Sequence, residues 1–298
     1  MTDIILLDGS IGQELVRRSA DRATPLWSTQ VMLDHPEMVG EVHRDYFGVG
    51  ATIATANTYA VHRSRLVRVG LDDQMPVLVN TALDQARAAR DAHGGGRVAG
   101  ALGPLLASYR PDLKPDVDDA AEKFGELVQI MEDKVDLFLI ETVSSVQEAI
   151  GALRGTAATT KPVWLALSVE DDDGTRLRSG EALVDIRPVI DGFKPDAVLI
   201  NCTRPEAVAS ALEIIKAFGL PFGAYANGFT RISDAFKADA PTVDALEQRT
   251  DLGPAAYSKF AMGWIAQGAT IVGGCCEVGP DHIAQLARDL RAAGHSIV

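Results

Sequence analysis

Short apolar runs alternate along the chain with longer stretches in which apolar residues recur every three or four positions. Eight of the runs have the length of β-strands: Ile4–Asp8, Ala51–Asn57, Arg97–Gly103, Leu137–Thr142, Val163–Ser168, Ala197–Cys202, Phe222–Asn227 and Ala269–Gly273. Their nearly continuous apolar character is typical of strands that are buried on both faces of a parallel sheet.

Amphipathic stretches separate these runs. Seven of them predict helices: Pro36–Phe47, Val77–Ala92, Asp118–Lys134, Ser145–Ala158, Glu206–Phe218, Pro254–Gln267 and Asp281–Ala292. The stretch in the fifth unit, Asp185–Phe193, is less regular because it contains Pro188 and Gly192. Eight β–α units favour closure into a (β/α)8 TIM barrel over an open sheet. No linker or change in composition divides the chain, so residues 1–298 are expected to form a single domain.

Composition narrows the classes of partner. The 298 residues suffice for an α/β barrel, and a net charge of -13 without a basic cluster argues against nucleic-acid binding. No apolar run is long enough to cross a membrane, and the N-terminal run is too short for a signal peptide. We therefore expect a cytoplasmic protein with small-molecule partners. The predicted outer helices show no heptad seam, which leaves a homo-oligomer open.

In a barrel of this kind, residues that follow the strands meet at the C-terminal rim, where substrates bind. Polar, glycine and cysteine residues at these positions are Asp8, Gly9, Thr55, Asn57, Gly103, Glu141, Ser168, Cys202, Asn227, Cys275 and Cys276. Three long loops, 109–118, 170–181 and 227–245, would overhang the same face. The aspartates at 171–173 are expected to form a solvated turn, because their spacing lacks the other ligands of a calcium loop.

All three cysteines of the chain, Cys202, Cys275 and Cys276, belong to this predicted rim. Adjacent cysteines rarely bridge each other, and a reducing cytosol disfavours a disulfide. Iron-sulfur clusters normally need four protein ligands, whereas catalytic zinc takes three and keeps one position open. The sequence therefore predicts a zinc site with a vacant position, and buried structural cysteines are the alternative.

Four blocks of sequence carry a family resemblance. "LLDGSIGQEL" (6–15), "ETVSSVQEA" (141–149), "INCTRPEAV" (200–208) and "VGGCCEVGPDHI" (272–283) resemble, in the same order, the signature blocks of the homocysteine S-methyltransferase family. The resemblance covers nearly the whole chain. It implies a zinc-dependent barrel enzyme that methylates the thiol of homocysteine to give methionine.

The resemblance also implies roles for individual residues. The three cysteines would hold the zinc ion, and the sulfur of homocysteine would become its fourth ligand. Glu141 matches the glutamate that binds the ammonium group of homocysteine. Asp8 and Gly9 match residues of the first βα turn that contact the same substrate, and Thr55 matches a further carboxylate contact.

The methyl donor is expected to be a small sulfonium or quaternary ammonium ion, because it must carry a good leaving group. Aromatic faces bind such cations. Trp27 and Tyr59 match aromatic positions of relatives that use betaine or S-methylmethionine, and "LWS" (26–28) is closer to the S-methylmethionine type. Asn227 would lie on the donor side, although "YANGF" (225–229) departs from the turn that is frequent in the family. Betaine and S-adenosylmethionine are alternative donors.

Two other functions stay open from sequence alone. A non-catalytic barrel could use the same cysteines to sense zinc or thiols. A separate corrinoid protein could supply the methyl group, since 298 residues leave no room for the folate, cobalamin and activation domains of cobalamin-dependent methionine synthases. A seleno-analogue of homocysteine is an alternative acceptor.

Overall fold

The structure, a computed structural model, describes residues 2–21, 24–233, 235–237, 242 and 246–298. Its parallel strands are β1 (Asp3–Leu6), β2 (Ile53–Thr55), β3 (Arg97–Leu102), β4 (Leu137–Val143), β5 (Val163–Leu167), β6 (Ala197–Asn201), β7 (Phe222–Ala226), β8 (Ile271–Gly274) and β9 (Ser296–Ile297). Strands β2 to β8 lie side by side in sequence order, and β8 pairs with β1. A parallel bridge between Leu7 and Ile53 closes the barrel. The predicted (β/α)8 barrel is confirmed.

The seam between β1 and β2 is thin. Strands β7 and β8 pair along four residues each, whereas the described residues of the seam pair only at Leu7 and Ile53, next to a 2.7 Å hydrogen bond from Thr52 N to Leu6 O. Just above, the carboxylate of Asp8 accepts hydrogen bonds from the backbone N and the hydroxyl of Thr55. A side chain thus continues the seam where the backbone ladder stops.

Helices cover the outside of the barrel. They are α1 (Ile11–Ser19), α2 (Ser28–Asp34), α3 (Pro36–Val49), α4 (Arg63–Leu66), α5 (Met75–His93), α6 (Val117–Met131), α7 (Val146–Gly155), α8 (Arg187–Phe193), α9 (Pro205–Lys216), α10 (Pro254–Ala266) and α11 (Pro280–Ala292). Single 3₁₀ turns lie at Val67–Val69, Asp72–Gln74, Pro111–Leu113, Glu132–Lys134, Leu183–Ile186 and Ala235–Lys237. Within the described ranges, no helix combines the length and apolar character that a membrane crossing requires.

Local sequence explains where several helices begin. Asp116 accepts a hydrogen bond from Asp119 N at the start of α6, and Ser145 accepts one from Glu148 N at the start of α7. These side chains satisfy backbone N–H groups that have no partner inside the helix. Pro188 lies in the first turn of α8, where its missing N–H costs nothing, so the irregular fifth stretch still forms a short helix.

The strands are buried on both faces. Side chains that point into the barrel, such as Leu139, Leu199 and Ile271, form one apolar cluster. Their neighbours along the same strands, such as Ile140, Ile200 and Val272, pack under the helices in a second, larger cluster. This double burial explains the continuous apolar runs in the sequence and leaves the polar residues that follow each strand to form the rim.

One buried side chain in the outer layer is poorly matched to its surroundings. His43 in α3 is fully buried, and neither ring nitrogen has a hydrogen-bond partner among the described residues. Burial, together with the neighbouring charge of Arg44, lowers the pKa of His43 from 6.5 to about 4. The unfolded chain therefore binds a proton at a pH where the folded chain does not, and the fold loses stability as the pH falls from 6.5 towards 4.

We expect His43→Leu to flatten this acid-side loss of stability. The histidine contributes about 3 kcal/mol to the difference in unfolding free energy between pH 7 and pH 4. Removing an unpaired buried ring should also leave the stability at pH 7 unchanged or higher. Urea unfolding between pH 4 and pH 7 measures both effects, and His35→Leu, at a side chain that is 40% exposed, is the control. Equal pH slopes for the His43 variant and the original chain would contradict the assignment.

Candidate active site

A cavity of about 520 Å3 opens at the C-terminal end of the barrel. Nine of the ten residues that the sequence nominated for metal, homocysteine or donor line it: Asp8, Gly9, Trp27, Thr55, Tyr59, Glu141, Cys202, Cys275 and Cys276. The tenth, Asn227, does not line the cavity. Its side chain is buried, and its Oδ1 atom has no hydrogen-bond partner in the part of the chain that the structure describes. A role for Asn227 at the donor stays a prediction.

The three cysteines meet on one side of the cavity. Cys202 follows β6, and Cys275 with Cys276 follows β8, so the cysteines come from strands that are separated only by β7. All three Sγ atoms lie within 4.8 Å of one another, and those of Cys202 and Cys275 are 2.7 Å apart. Tetrahedral zinc at about 2.3 Å from each sulfur would separate the sulfurs by about 3.8 Å. The donor set therefore fits a thiophilic ion with a shift of about 1 Å.

The backbone beside the thiols is strained. Four non-glycine residues near the cluster have left-handed φ angles: Tyr109 at 62°, Thr142 at 60°, Cys202 at 50° and Glu277 at 63°. Such conformations cost about 1–3 kcal/mol each and persist where surrounding contacts impose them. Gly274 supports the vicinal pair in a different way, because a Cβ there would lie 2.2 Å from Cγ1 of Val278. The glycine allows the turn that presents both sulfurs.

The three thiols differ in pKa. Burial opposes ionisation of Cys202, but hydrogen bonds from Cys275, Cys276, Thr142 and Tyr109 outweigh it and hold the pKa of Cys202 well below its usual range. Hydrogen bonding to that thiolate, together with burial, raises the pKa values of Cys275 and Cys276. These directions make Cys202 the most acidic of the three thiols, and a nearby cation would favour ionisation of the other two.

Two carboxyl groups face the same cavity. Burial raises the pKa of Asp8 to about 7, although hydrogen bonds from Thr55 oppose the rise. Burial and the nearby charge of Cys202 raise the pKa of Glu141 to about 8, although a 2.9 Å hydrogen bond from the hydroxyl of Tyr225 opposes it. Neither carboxyl is fully ionised at neutral pH without a cationic partner. An ammonium group is a partner of suitable size and charge.

Gly9 is fixed by a close approach of two loops. A Cβ at Gly9 would lie 2.0 Å from the carbonyl oxygen of Val278 and 2.9 Å from the hydroxyl of Tyr46. The same carbonyl accepts a hydrogen bond from Ser10 N, and it lies only two residues after Cys276. The turn after β1 and the turn that carries the vicinal cysteines are therefore in direct contact.

The aromatic residues predicted for the donor lie together. Trp27 and Tyr59 pack edge to face with centroids 6.0 Å apart, and the Tyr59 hydroxyl lies 2.7 Å from Oγ of Ser108. The guanidinium of Arg65 lies 5.6 Å from the centre of the Tyr59 ring. Because Arg65 already makes a cation–π contact with Tyr59, the Trp27 ring is left as the less committed aromatic surface for a cationic ligand.

Sequence reasoning missed several side chains of the site. Tyr225 lies inside β7, where it looks like an ordinary core residue, and Tyr109 lies in a long loop with no periodicity. Asn201 accepts a hydrogen bond from Thr142 N and donates one to the Thr142 hydroxyl, so it joins the strand ends that carry Glu141 and Cys202. Asn201 precedes Cys202 in the block "INCTRPEAV", but the block was used to predict a role for the cysteine alone. Part of the loop 227–245 lies outside the described residues.

The family model for homocysteine S-methyltransferase matches residues 5–290. The chain belongs to the homocysteine S-methyltransferase family. It is therefore an enzyme of methyl transfer to homocysteine, as the resemblance implied. A homocysteine S-methyltransferase from Escherichia coli (strain K12) is 30% identical over 303 residues, which cover 95% of this chain and 94% of that protein.

Two further relatives bear on the homocysteine S-methyltransferase site. A selenocysteine methyltransferase from Astragalus bisulcatus is 26% identical, with 93% of this chain and 90% of that protein aligned. The metallated form of the homocysteine methyltransferase MmuM from Escherichia coli superposes with a TM-score of 0.81 at 27% identity, covering 97% of this chain and 96% of that one. Both the fold and the presence of a metal in a relative agree with the cysteine cluster described above.

We expect the purified methyltransferase to bind one equivalent of a thiophilic divalent ion through this cluster. Cys202→Ser, Cys275→Ser and Cys276→Ser should each weaken zinc binding by more than about 100-fold, because loss of a mere outer-shell contact already costs 10–100-fold. Competition with a chromophoric chelator measures the affinity, and circular dichroism of the metal-free variants checks that they fold. Retention of tight zinc binding by the Cys202 variant would show that the sulfur from β6 is not a ligand.

Proposed function

We propose that the enzyme transfers a methyl group from a small sulfonium or quaternary ammonium compound to the thiol of homocysteine in a zinc-dependent reaction, giving methionine. The observation that carries the proposal is the meeting of three thiols and two buried carboxyl groups in one cavity. The thiols are the ligands that a metal ion needs, and the carboxyl groups are the partners that an amino-acid substrate needs.

The residues divide between metal and substrate. Cys202, Cys275 and Cys276 would hold zinc, which when bound lowers the pKa of a coordinating thiol and so makes the sulfur nucleophilic near neutral pH. Glu141, held by Tyr225, would accept the ammonium group of homocysteine. Asp8, held by Thr55, and the backbone at Gly9 would fix the rest of its amino-acid end.

The chemistry asks little more of the protein. The homocysteine thiol releases its proton to solvent water, and its sulfur forms a bond to the methyl carbon. The bond from that carbon to the donor sulfur or nitrogen breaks, and its electron pair stays on the donor. Side chains that hold the two reactants in line convert a bimolecular step into an effectively unimolecular one.

S-Methylmethionine is the donor we favour. Trp27 supports it, because this ring lines the cavity and no arginine among the described residues stacks on it. The "LWS" triplet also resembles that branch of the family. Betaine, S-adenosylmethionine and a methylated corrinoid protein are the alternatives. The selenocysteine methyltransferase among the relatives makes a selenol the alternative acceptor.

We further propose that residues 1–298 act as one homocysteine-binding barrel in the cytoplasm. The family match spans nearly all of the chain, and three thiols that must stay reduced suit a reducing compartment.

A panel of methyl donors tests the proposal. Zinc-loaded enzyme should form methionine from homocysteine and S-methylmethionine, faster than from betaine, dimethylsulfoniopropionate or S-adenosylmethionine, and Cys276→Ser should reduce the rate by at least about 100-fold. Chromatographic detection of methionine is the measurement. Absence of methionine with every small donor would refute the small-donor proposal and favour a corrinoid partner or a zinc- or thiol-sensing barrel.

The raised pKa of Glu141 predicts a pH dependence of substrate binding. Because the free carboxyl is protonated below about pH 8 and the ammonium group needs the carboxylate, affinity should rise with pH, by at most about tenfold per unit between pH 6 and 8. The measurement is calorimetric titration of the metal-free protein with methionine. Methionine has no thiol, so no substrate thiol proton contributes to the pH dependence. Glu141→Gln should flatten the slope, and Glu148→Gln in α7 should not. An unchanged slope in the Glu141 variant would assign the titration elsewhere.

A further inference from the structure

A buried ion pair lies next to the backbone of Cys202 in the three-cysteine cluster. Asp171 and Arg178, both in the loop after β5, are 2.8 Å apart, and their side chains are only 11% and 8% exposed. The sequence predicted a solvated turn at 171–173. That expectation is wrong for Asp171, although Asp172 is 92% exposed as predicted. A buried pair of charges is expensive, so its other contacts indicate what holds it there.

Arg178 contacts the backbone of Cys202. One of its terminal nitrogens, Nη2, donates to the carbonyl oxygen of Cys202 at 2.9 Å, and its Nε donates to Oγ of Ser168 at 2.7 Å. The Ser168 hydroxyl in turn donates to the same carbonyl at 3.2 Å. Two donors thus converge on the oxygen of the residue whose φ angle is 50°. Charge-assisted hydrogen bonds of this kind are strong enough to offset the strain of a left-handed residue.

Asp171 fixes Arg178 and ties in two other segments. Its carboxylate accepts hydrogen bonds from Arg204 N, two residues after Cys202, and from Ile232 N in the loop after β7. The Arg178 guanidinium also lies 4.8 Å from the ring centre of Tyr109, which packs in one buried cluster with Cys202. The ion pair therefore joins four loops around one metal ligand.

We propose that Arg178, held in place by Asp171, is a positioning residue that fixes the backbone of Cys202 and so sets the metal affinity and geometry of the three-cysteine site. Among the described residues that line the cavity, neither member of the pair is present. Their action is thus through Cys202 and not on the substrate. The inference rests on the proposed metal site and assigns to that site a support that lies outside the cavity.

The test compares variants that remove different parts of the pair. Arg178→Lys keeps both charges but cannot reach Cys202 O and Ser168 with a fork of donors. Asp171→Asn with Arg178→Met removes both charges, so no unpaired charge stays buried. Asp172→Asn, at the exposed neighbour that pairs with Arg204, is the matched control.

Zinc affinity by chelator competition and the cobalt(II) absorption spectrum are the readouts, with thermal unfolding of the metal-free proteins beside them. We expect the Kd for zinc to rise 10–100-fold in Arg178→Lys and in the double variant, with shifted sulfur-to-cobalt bands, while Asp172→Asn stays within twofold. Wild-type zinc affinity and cobalt spectra in folded Arg178→Lys would overturn the inference, even if the unfolding temperature falls. Failure of the original protein to bind either ion would instead refute the metal site itself.

Discussion

The concentration of ionisable groups at one end of the barrel is the constraint around which the site is arranged. The thiol of Cys202 and the carboxyl groups of Asp8 and Glu141 are buried, and the thiols of Cys275 and Cys276 beside them are half-buried. These groups cannot all ionise without opposite charge nearby. In the free protein the pKa of Cys202 is lowered, while those of Cys275, Cys276, Asp8 and Glu141 are raised. A divalent ion, an ammonium group and an onium donor would replace the protons on these groups.

Rigid support keeps these groups together despite their mutual repulsion. Asn201 locks the end of β4 to the end of β6, Val278 locks the vicinal cysteines to the turn at Gly9, and Arg178 holds the carbonyl of Cys202. Each contact joins the ends of two different strands or the loops that follow them. The positive φ angles near the sulfurs are the local signs of this support.

The sequence predicted the barrel and much of the site because both depend on short-range patterns. Strands buried on both faces give unbroken apolar runs, so β4 and β6 were placed to within a residue, and the rim follows once strand ends are known. β2 is shorter than predicted because its edge has few backbone partners at the seam. The pairing of Asp171 with Arg178 was hidden, since "EDDDGTRLRSGE" looks like a solvated loop and burial of its charges depends on contacts with β6, β7 and β3 loops distant in sequence.

The thin seam between β1 and β2 gives Asp8 a second importance. Its carboxylate accepts hydrogen bonds from Thr55 across the junction with the fewest paired residues among the described strands of the barrel. The group expected to contact substrate therefore also helps to close the barrel. Loss of these hydrogen bonds would destabilise the closure of the barrel as well as weaken the binding of homocysteine. A loss of activity in an Asp8 variant would therefore combine two effects: a missing substrate contact and a weaker connection between β1 and β2.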